Sequence, residues 1–329
     1  MKKILLGLLG LVVLIIVSII IIFNISPKPT ISLAKAILFK IPEDSRNKEY
    51  TEGNVNVRVN LNYDSTYKSN QFDLYTPAKP KEGNPIITWV HGGGFIGGDK
   101  LEEKEFATKL AESGYTVAVM NYELVPDTQY PRPVIQTSEF ITYLANHSKE
   151  YSLNMDHLFL AGDSAGAQIA SQFLATQTND VYRKSLGIKQ VVDAGQIKGA
   201  LLYCGPYNMP EIVLNSSSPI VKFGFSGIGW GYFKEKDWSQ SEQAKSSIVK
   251  NFVTDAFPPS YITDGNTASF ESQGKEFIKA LESKKVPISQ RFFALSEYKT
   301  AHEYQFELDT DPGKTAFNDT IEFLSKYEQ

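Results

Sequence analysis

The spacing of apolar and polar residues divides the chain into three regimes. Residues 4–23 (ILLGLLGLVVLIIVSIIIIF) are apolar and carry no charge. Residues 24–50 are mixed and interrupted by Pro27 and Pro29. A regular pattern then begins. Residues 55–63 (VNVRVNLNY) alternate with period two and predict a strand, and 71–77 (QFDLYTP) predict a second that Pro77 ends. Continuous apolar runs at 85–90 (PIITWV) and 115–122 (YTVAVMNY) predict strands buried on both faces. Segments 157–162, 197–205, 258–263 and 287–295 predict four more strands. Helical spacing runs through 102–113, 133–148, 165–176, 269–284 and 315–328. The alternation from residue 85 onward predicts an α/β fold over 51–329, with a mostly parallel central sheet and helices on both faces. Residues 206–257 break it. This stretch is rich in Gly, Ser and aromatics (VKFGFSGIGWGYF, 221–233) and reads as a cap-like insertion, the alternative being a long surface loop.

As a helix, residues 4–23 reach roughly 30 Å, the thickness of a bilayer's hydrocarbon core. A cleaved signal peptide has an apolar region of about 7–15 residues and a small-x-small cleavage site. This run is longer, and Asn24-Ile25-Ser26-Pro27 is a poor site. The expectation is one N-terminal transmembrane helix at 4–23, after a short tail at 1–3 and before a tether at 24–50. Residues 31–40 (ISLAKAILFK) read as a spacer in preference to an amphipathic collar, because three turns are marginal alone. Residues 42–49 (PEDSRNKE) read as mobile. Lys2 and Lys3 on one side balance Lys28, Lys35 and Lys40 on the other, so basic residues do not orient the span. The three-residue tail favours a single-pass protein with its main domain outside the cytoplasm.

A net charge of −4 gives no reason to expect a nucleic-acid partner. The lone cysteine, Cys204, allows no intramolecular disulfide. The four histidines show no metal-ligand spacing, so neither metal nor cofactor is expected.

Two motifs carry chemistry. Gly162-Asp163-Ser164-Ala165-Gly166 fits G-x-S-x-G between a strand and a helix. Small neighbours permit a sharp, strained turn that lifts the serine hydroxyl above the sheet. The following helix points its N-terminus at developing negative charge. His91-Gly92-Gly93-Gly94-Phe95 directly follows the strand at 85–90 and leaves backbone N–H groups uncovered, as an oxyanion requires. It does not fit a phosphate loop. His91 reads as orienting this loop.

Together with residues 121–144 (NYELVPDTQYPRPVIQTSEFITYL), the motifs resemble the hormone-sensitive-lipase-like and feruloyl-esterase-like branch of the α/β-hydrolases. The resemblance covers about 55–329. It implies oxyanion donors at Gly93, Gly94 and Ala165, with Asp163 structural. In this fold the chain order is serine, acid, histidine. His302 is the only histidine after Ser164, and it lies between the last expected strand and helix, where the base belongs. His147 and His157 read as structural. The position that aligns with the family's usual aspartate is Ala268. Two acids remain: Asp264 at a strand's C-terminal end is favoured, with Glu271 in the first helical turn as the alternative. The expected function is a membrane-anchored serine ester hydrolase, of carboxylesterase or acetylesterase type, acting on a small-molecule or polymer-linked ester. The rivals are an amidase or acyltransferase with the same triad, and a non-catalytic binding protein on the same scaffold.

Overall fold

The computed structural model describes residues 2–39, 43–81 and 83–328. Met1 of the expected tail and residues 40–42 of the expected tether lie outside the described residues. Nine described strands form one sheet: β1 (Glu49–Glu52), β2 (Val55–Asn62), β3 (Gln71–Pro77), β4 (Pro85–Val90), β5 (Thr116–Met120), β6 (Asn154–Asp163), β7 (Ile197–Tyr203), β8 (Ser260–Thr263) and β9 (Ile288–Arg291). Their order is β1-β2-β3-β5-β4-β6-β7-β8-β9. Pairing is antiparallel from β1 to β5 and parallel from there to β9.

Helices α1 (Lys2–Ile25) and α2 (Lys28–Leu38) precede the sheet. Along the sheet come α3 (Lys104–Glu112), α4 (Arg132–Asn146), the single turn α5 (Ser148–Tyr151), α6 (Ala165–Thr178) and α7 (Asp180–Ser185). Then follow α8 (Met209–Asn215), α9 (Pro219–Phe233), α10 (Glu242–Ser246), α11 (Glu271–Ser283) and α12 (Asp311–Tyr327).

Strands β4 and β5 are buried along their whole length, as their unbroken apolar runs require. Alternate residues of β4 enter two cores. Ile86 and Val90 pack with Phe140, Ile169 and Phe173 on one face. Ile87 and Trp89 pack with Phe106, Tyr203 and Phe323 on the other. Register aligns the strand ends: Val90 lies beside Gly162, Asp163 beside Tyr203, and Tyr203 beside Thr263. The next residues, His91, Ser164, Cys204 and Asp264, therefore leave the sheet along one C-terminal edge, where open α/β sheets bind ligands.

Helix α1 is the one described helix long and apolar enough to cross a membrane; its stretch Lys3–Ile25 has a mean hydropathy of 3.4 and no part of it is buried.

The insertion at 206–257, read as cap-like, holds α8, α9 and α10. Two other segments differ from their sequence reading. The region read as a spacer contains α2, which packs on α9 with Thr30 and Ile31 buried. A Cβ at Gly227 would lie 2.4 Å from Thr30 Cγ2, and one at Gly231 would lie 2.6 Å from Ile31 Cδ1. These glycines, four residues apart on one face of α9, let the two helices approach closely. The polar stretch read as mobile is docked instead. Arg46 pairs with Asp44 at 2.8 Å and with the fully buried Asp73 at 2.6 Å, and Lys100 reaches Asp73 at 3.2 Å. Removing Arg46 would leave a buried carboxylate short of one of its partners, so the segment is held by charge pairing.

Candidate active site

Ser164 sits at the bend between β6 and α6 with φ +47° and ψ −120°. For a residue with a Cβ this is a strained conformation. Its backbone N–H donates to Tyr203 O at 2.8 Å, which locks the bend to β7. A Cβ at Gly166 would lie 1.9 Å from Val90 O, so only glycine lets α6 start this close to β4.

His302 follows β9 in a loop held against the end of β8. Asn266 Nδ2 donates to Phe293 O at 3.1 Å and to Tyr298 O at 2.7 Å, and Thr267 N–H donates to Thr300 O at 3.0 Å. The loop brings His302 Nε2 to 2.9 Å from Ser164 Oγ. On its other side, His302 Nδ1 lies 2.6 Å from Ser269 Oγ, and the Ser269 hydroxyl donates to Asp264 Oδ1. Asp264 Oδ2 accepts the Phe270 N–H at 3.1 Å.

The proton arrangement follows from this geometry. Nε2 accepts from Ser164 only if Nδ1 carries the ring proton. Nδ1–H then donates to Ser269, whose own proton goes to the carboxylate. All three bonds run in one direction, from Ser164 to Asp264. Burial lowers the His302 pKa to about 4, so the resting ring is neutral and its Nε2 lone pair is free. Burial raises the Asp264 pKa to about 7. Each charge is costly alone, so an imidazolium and a carboxylate formed together stabilise one another.

Of the acids weighed from sequence, Asp264 joins this chain. Glu271 instead pairs with Lys275 one turn along α11, at 2.6 Å. Ala268 lines the cavity with φ +50°, and the turn there presents Ser269 to the histidine. The sequence pattern places Ser269 inside the helix expected at 269–284, but α11 starts only at Glu271, which leaves Ser269 in the turn facing the histidine.

Gly93 and Gly94 have φ +96° and +58°. A Cβ at Gly93 would lie 2.1 Å from Gly97 O. Among the described residues, the backbone N–H groups of Gly93, Gly94 and Ala165 donate to no other backbone atom. The buried His91 ring stacks on Tyr122 at 4.5 Å, and the Tyr122 hydroxyl donates to His91 O at 3.1 Å, so both support the loop. His147 stacks on Tyr143 at 4.0 Å, and a Cβ at Gly83 would meet the His157 ring at 3.1 Å; both lie away from the cavity lining.

A cavity of about 620 Å³ lies above Ser164. Leu38, Phe39, Phe225, Phe270 and Phe306 supply an apolar wall. Glu102, Glu103, Asp163 and Glu303 supply an acidic one. Asp163 accepts from Trp89 Nε1 at 2.8 Å. Burial pushes Asp163 up to about 6, and burial with repulsion from Asp163 pushes Glu303 up to about 9. At neutral pH Glu303 therefore keeps its proton, and the wall carries less charge than four carboxyls suggest. Cys204, Asp264 and His302 bring ligand-type atoms within 4.8 Å of one another. Burial holds the Cys204 thiol protonated, and Ser269 already engages both the carboxylate and the ring, so the trio is arranged as a hydrogen-bond network.

A protein-family model described as BD-FAE matches residues 72–272. Acetyl esterases from Salmonella schwarzengrund (strain CVM19633) and Salmonella typhi are 26% and 37% identical over 231 residues, 67% of this chain and 66% of those proteins. The crystal structure of an inhibited esterase B from Lactobacillus rhamnosis superposes with a TM-score of 0.69 at 21% identity, covering 89% of this chain and 92% of that one. At that identity the likeness shows a shared fold, the α/β-hydrolase fold.

Proposed function

Because the chain belongs to the BD-FAE family, we propose that it is a serine ester hydrolase of acetyl- or carboxylesterase type, held at a membrane by α1. Ser164 Oγ attacks the ester carbonyl carbon while His302 Nε2 takes its proton. The carbonyl oxygen becomes an oxyanion and accepts hydrogen bonds from the Gly93, Gly94 and Ala165 N–H groups. Ser269 and Asp264 hold the imidazole in its tautomer and stabilise the imidazolium. The tetrahedral adduct collapses, and His302 returns the proton to the departing alkoxide. Water then attacks the acyl-serine by the same route, and the carboxylic acid leaves.

The observation that supports this most is the 2.9 Å contact between Ser164 Oγ and His302 Nε2 at a strained strand-to-helix bend. The names of the acetyl esterase relatives set the short end of the acyl series to be tested, and the apolar wall of Leu38, Phe39 and Phe225 is the reason to extend it to long chains. The test is hydrolysis of nitrophenyl esters from acetyl to decanoyl by the full chain in detergent. Ser164→Ala is expected to lower kcat on the order of 10⁶-fold. Equal rates for the two proteins would remove the nucleophile, and silence of both across the series would remove the esterase reading.

A further inference from the structure

The first described segment after α1 is built into the cavity. Leu38 and Phe39, at the end of α2, line it together with Phe225 of α9. The Phe39 ring occupies the space a Cβ at Gly97 would need, 2.3 Å away, and lies 3.7 Å from one at Gly94. A residue that follows the apolar span by a few turns thus touches the loop of the oxyanion donors.

The outer side of this wall is apolar and bare. Leu33, Ile37 and Leu38 of α2 are exposed, as are Ile220, Val221 and Phe223 of α9 and Leu214 of α8. Leu38 is 66% exposed and also lines the cavity, so the patch and the cavity share a rim. A water-facing helix pair has no reason to carry such a surface.

Its position says what covers it. Phe23 in the last turn of α1 packs on Phe223, with ring centroids 6.0 Å apart. Lys236 Nζ, just past α9, donates to Asn24 O at 3.0 Å and lies 5.5 Å over the Trp230 ring. Helix α9 therefore lies alongside the end of the apolar span, where hydrocarbon gives way to headgroups. Exposed Lys28 and Lys222 flank it, with aromatic and basic side chains of the kind that collect at that boundary.

We propose that the exposed face of α2 and α9 lies in the lipid–water interface and that the cavity opens there, so that the substrate class is an ester dissolved in the bilayer. The inference rests on the reading of the protein as a membrane-anchored esterase. An acyl chain leaving the bilayer would pass Leu38 and Phe39 to reach Ser164 without crossing water.

The experiment uses the full chain in phosphatidylcholine vesicles with two probes, water-soluble methylumbelliferyl acetate and bilayer-dissolved methylumbelliferyl oleate. The variant is Leu33→Glu/Ile220→Glu/Phe223→Glu; none of these residues lines the cavity. The expected result is a loss of roughly tenfold or more on the oleate, with the acetate rate within about twofold of wild type. A variant equal to wild type on the oleate, or one that loses both rates in parallel, overturns the inference. So does a wild type that cleaves the acetate alone, which leaves the esterase reading standing. A wild type that cleaves neither probe sinks the esterase reading first. A second measurement does not need the triple variant to fold. Bimane attached to Ile220→Cys is selective because the native thiol, Cys204, is buried. Quenching by nitroxide lipids supports contact with the bilayer, and its absence overturns it.

Discussion

Two glycine-rich stretches serve the same cavity by different physics. In 91–98 (HGGGFIGG) glycine is needed for the backbone itself: Gly93 sits at φ +96° with no room for a Cβ beside Gly97 O. In 224–231 (GFSGIGWG) the glycines lie in a helix, and Gly227 and Gly231 clear space for the side chains of Thr30 and Ile31. The first stretch fixes where N–H dipoles point. The second fixes how near another helix comes. Damage to one should therefore appear in kcat, and damage to the other in the fit of the acyl chain.

The largest expected effect sharpens the catalytic side of this contrast. Asp264→Asn should lower kcat by roughly 10³–10⁴-fold, while Glu271→Gln leaves it near wild type. Steady-state kinetics on nitrophenyl acetate decide between them, and equal losses would refute the assignment. Ser269→Ala should fall between the two, because the carboxylate stays but its link to Nδ1 is cut. Gly93→Ala comes next, with kcat down roughly 10²–10³-fold and KM nearly unchanged. A normal kcat in a folded Gly93→Ala protein would break the comparison from the catalytic side. Gly227→Ala should act differently. Overpacking against Thr30 costs about 1–3 kcal/mol of α2–α9 contact, raising KM for decanoyl esters several-fold while sparing kcat on acetyl esters. A fall in kcat of the Gly93→Ala kind would break it from the other side.

The smallest effect concerns stability. Glu303 holds its proton up to about pH 9 in the folded protein, whereas an unfolded glutamate releases it near pH 4.3. The folded state therefore binds the extra proton throughout this window, and the stability it confers is lost as pH rises toward 9. Glu303→Gln should flatten the decline of Tm between pH 6 and 9 by a few degrees. An unchanged slope would show that Glu303 is not a proton reservoir. Glu103 shifts in the same direction and should leave part of the slope in place, whereas Asp163, at about 6, has released its proton before most of this window.

The parts of the molecule set by local pattern are legible in its sequence. The buried runs at β4 and β5, the bend around Ser164 and the glycine loop each follow from neighbours within a few residues, while His302 is marked by chain order, as the only histidine after Ser164. The parts that need distant partners are not. Helix α9 gives no helical signal within the cap-like insertion because glycine is a poor helix former, and its packing against α2 and Trp238 outweighs that cost. Helix α2 reads as a spacer because its burial depends on glycines some two hundred residues later. Ser269 acquires a partner only once the turn at Ala268 is closed by the loop carrying His302. The edge strand β1 (EYTE) is half charged, and Tyr50 is its one apolar signal.

Phe39 has a practical consequence for anyone preparing this protein. The usual way to make a protein with a long apolar N-terminal helix tractable is to cut it after that helix, and a cut at residue 48 would pass for a clean one. It would also remove a side chain that rests on the glycine loop. The trimmed protein would keep its serine, histidine and acid, yet present a wider trough, with a flatter preference among acyl lengths than the intact chain. A substrate survey made on the trimmed form would then describe the preparation and not the enzyme.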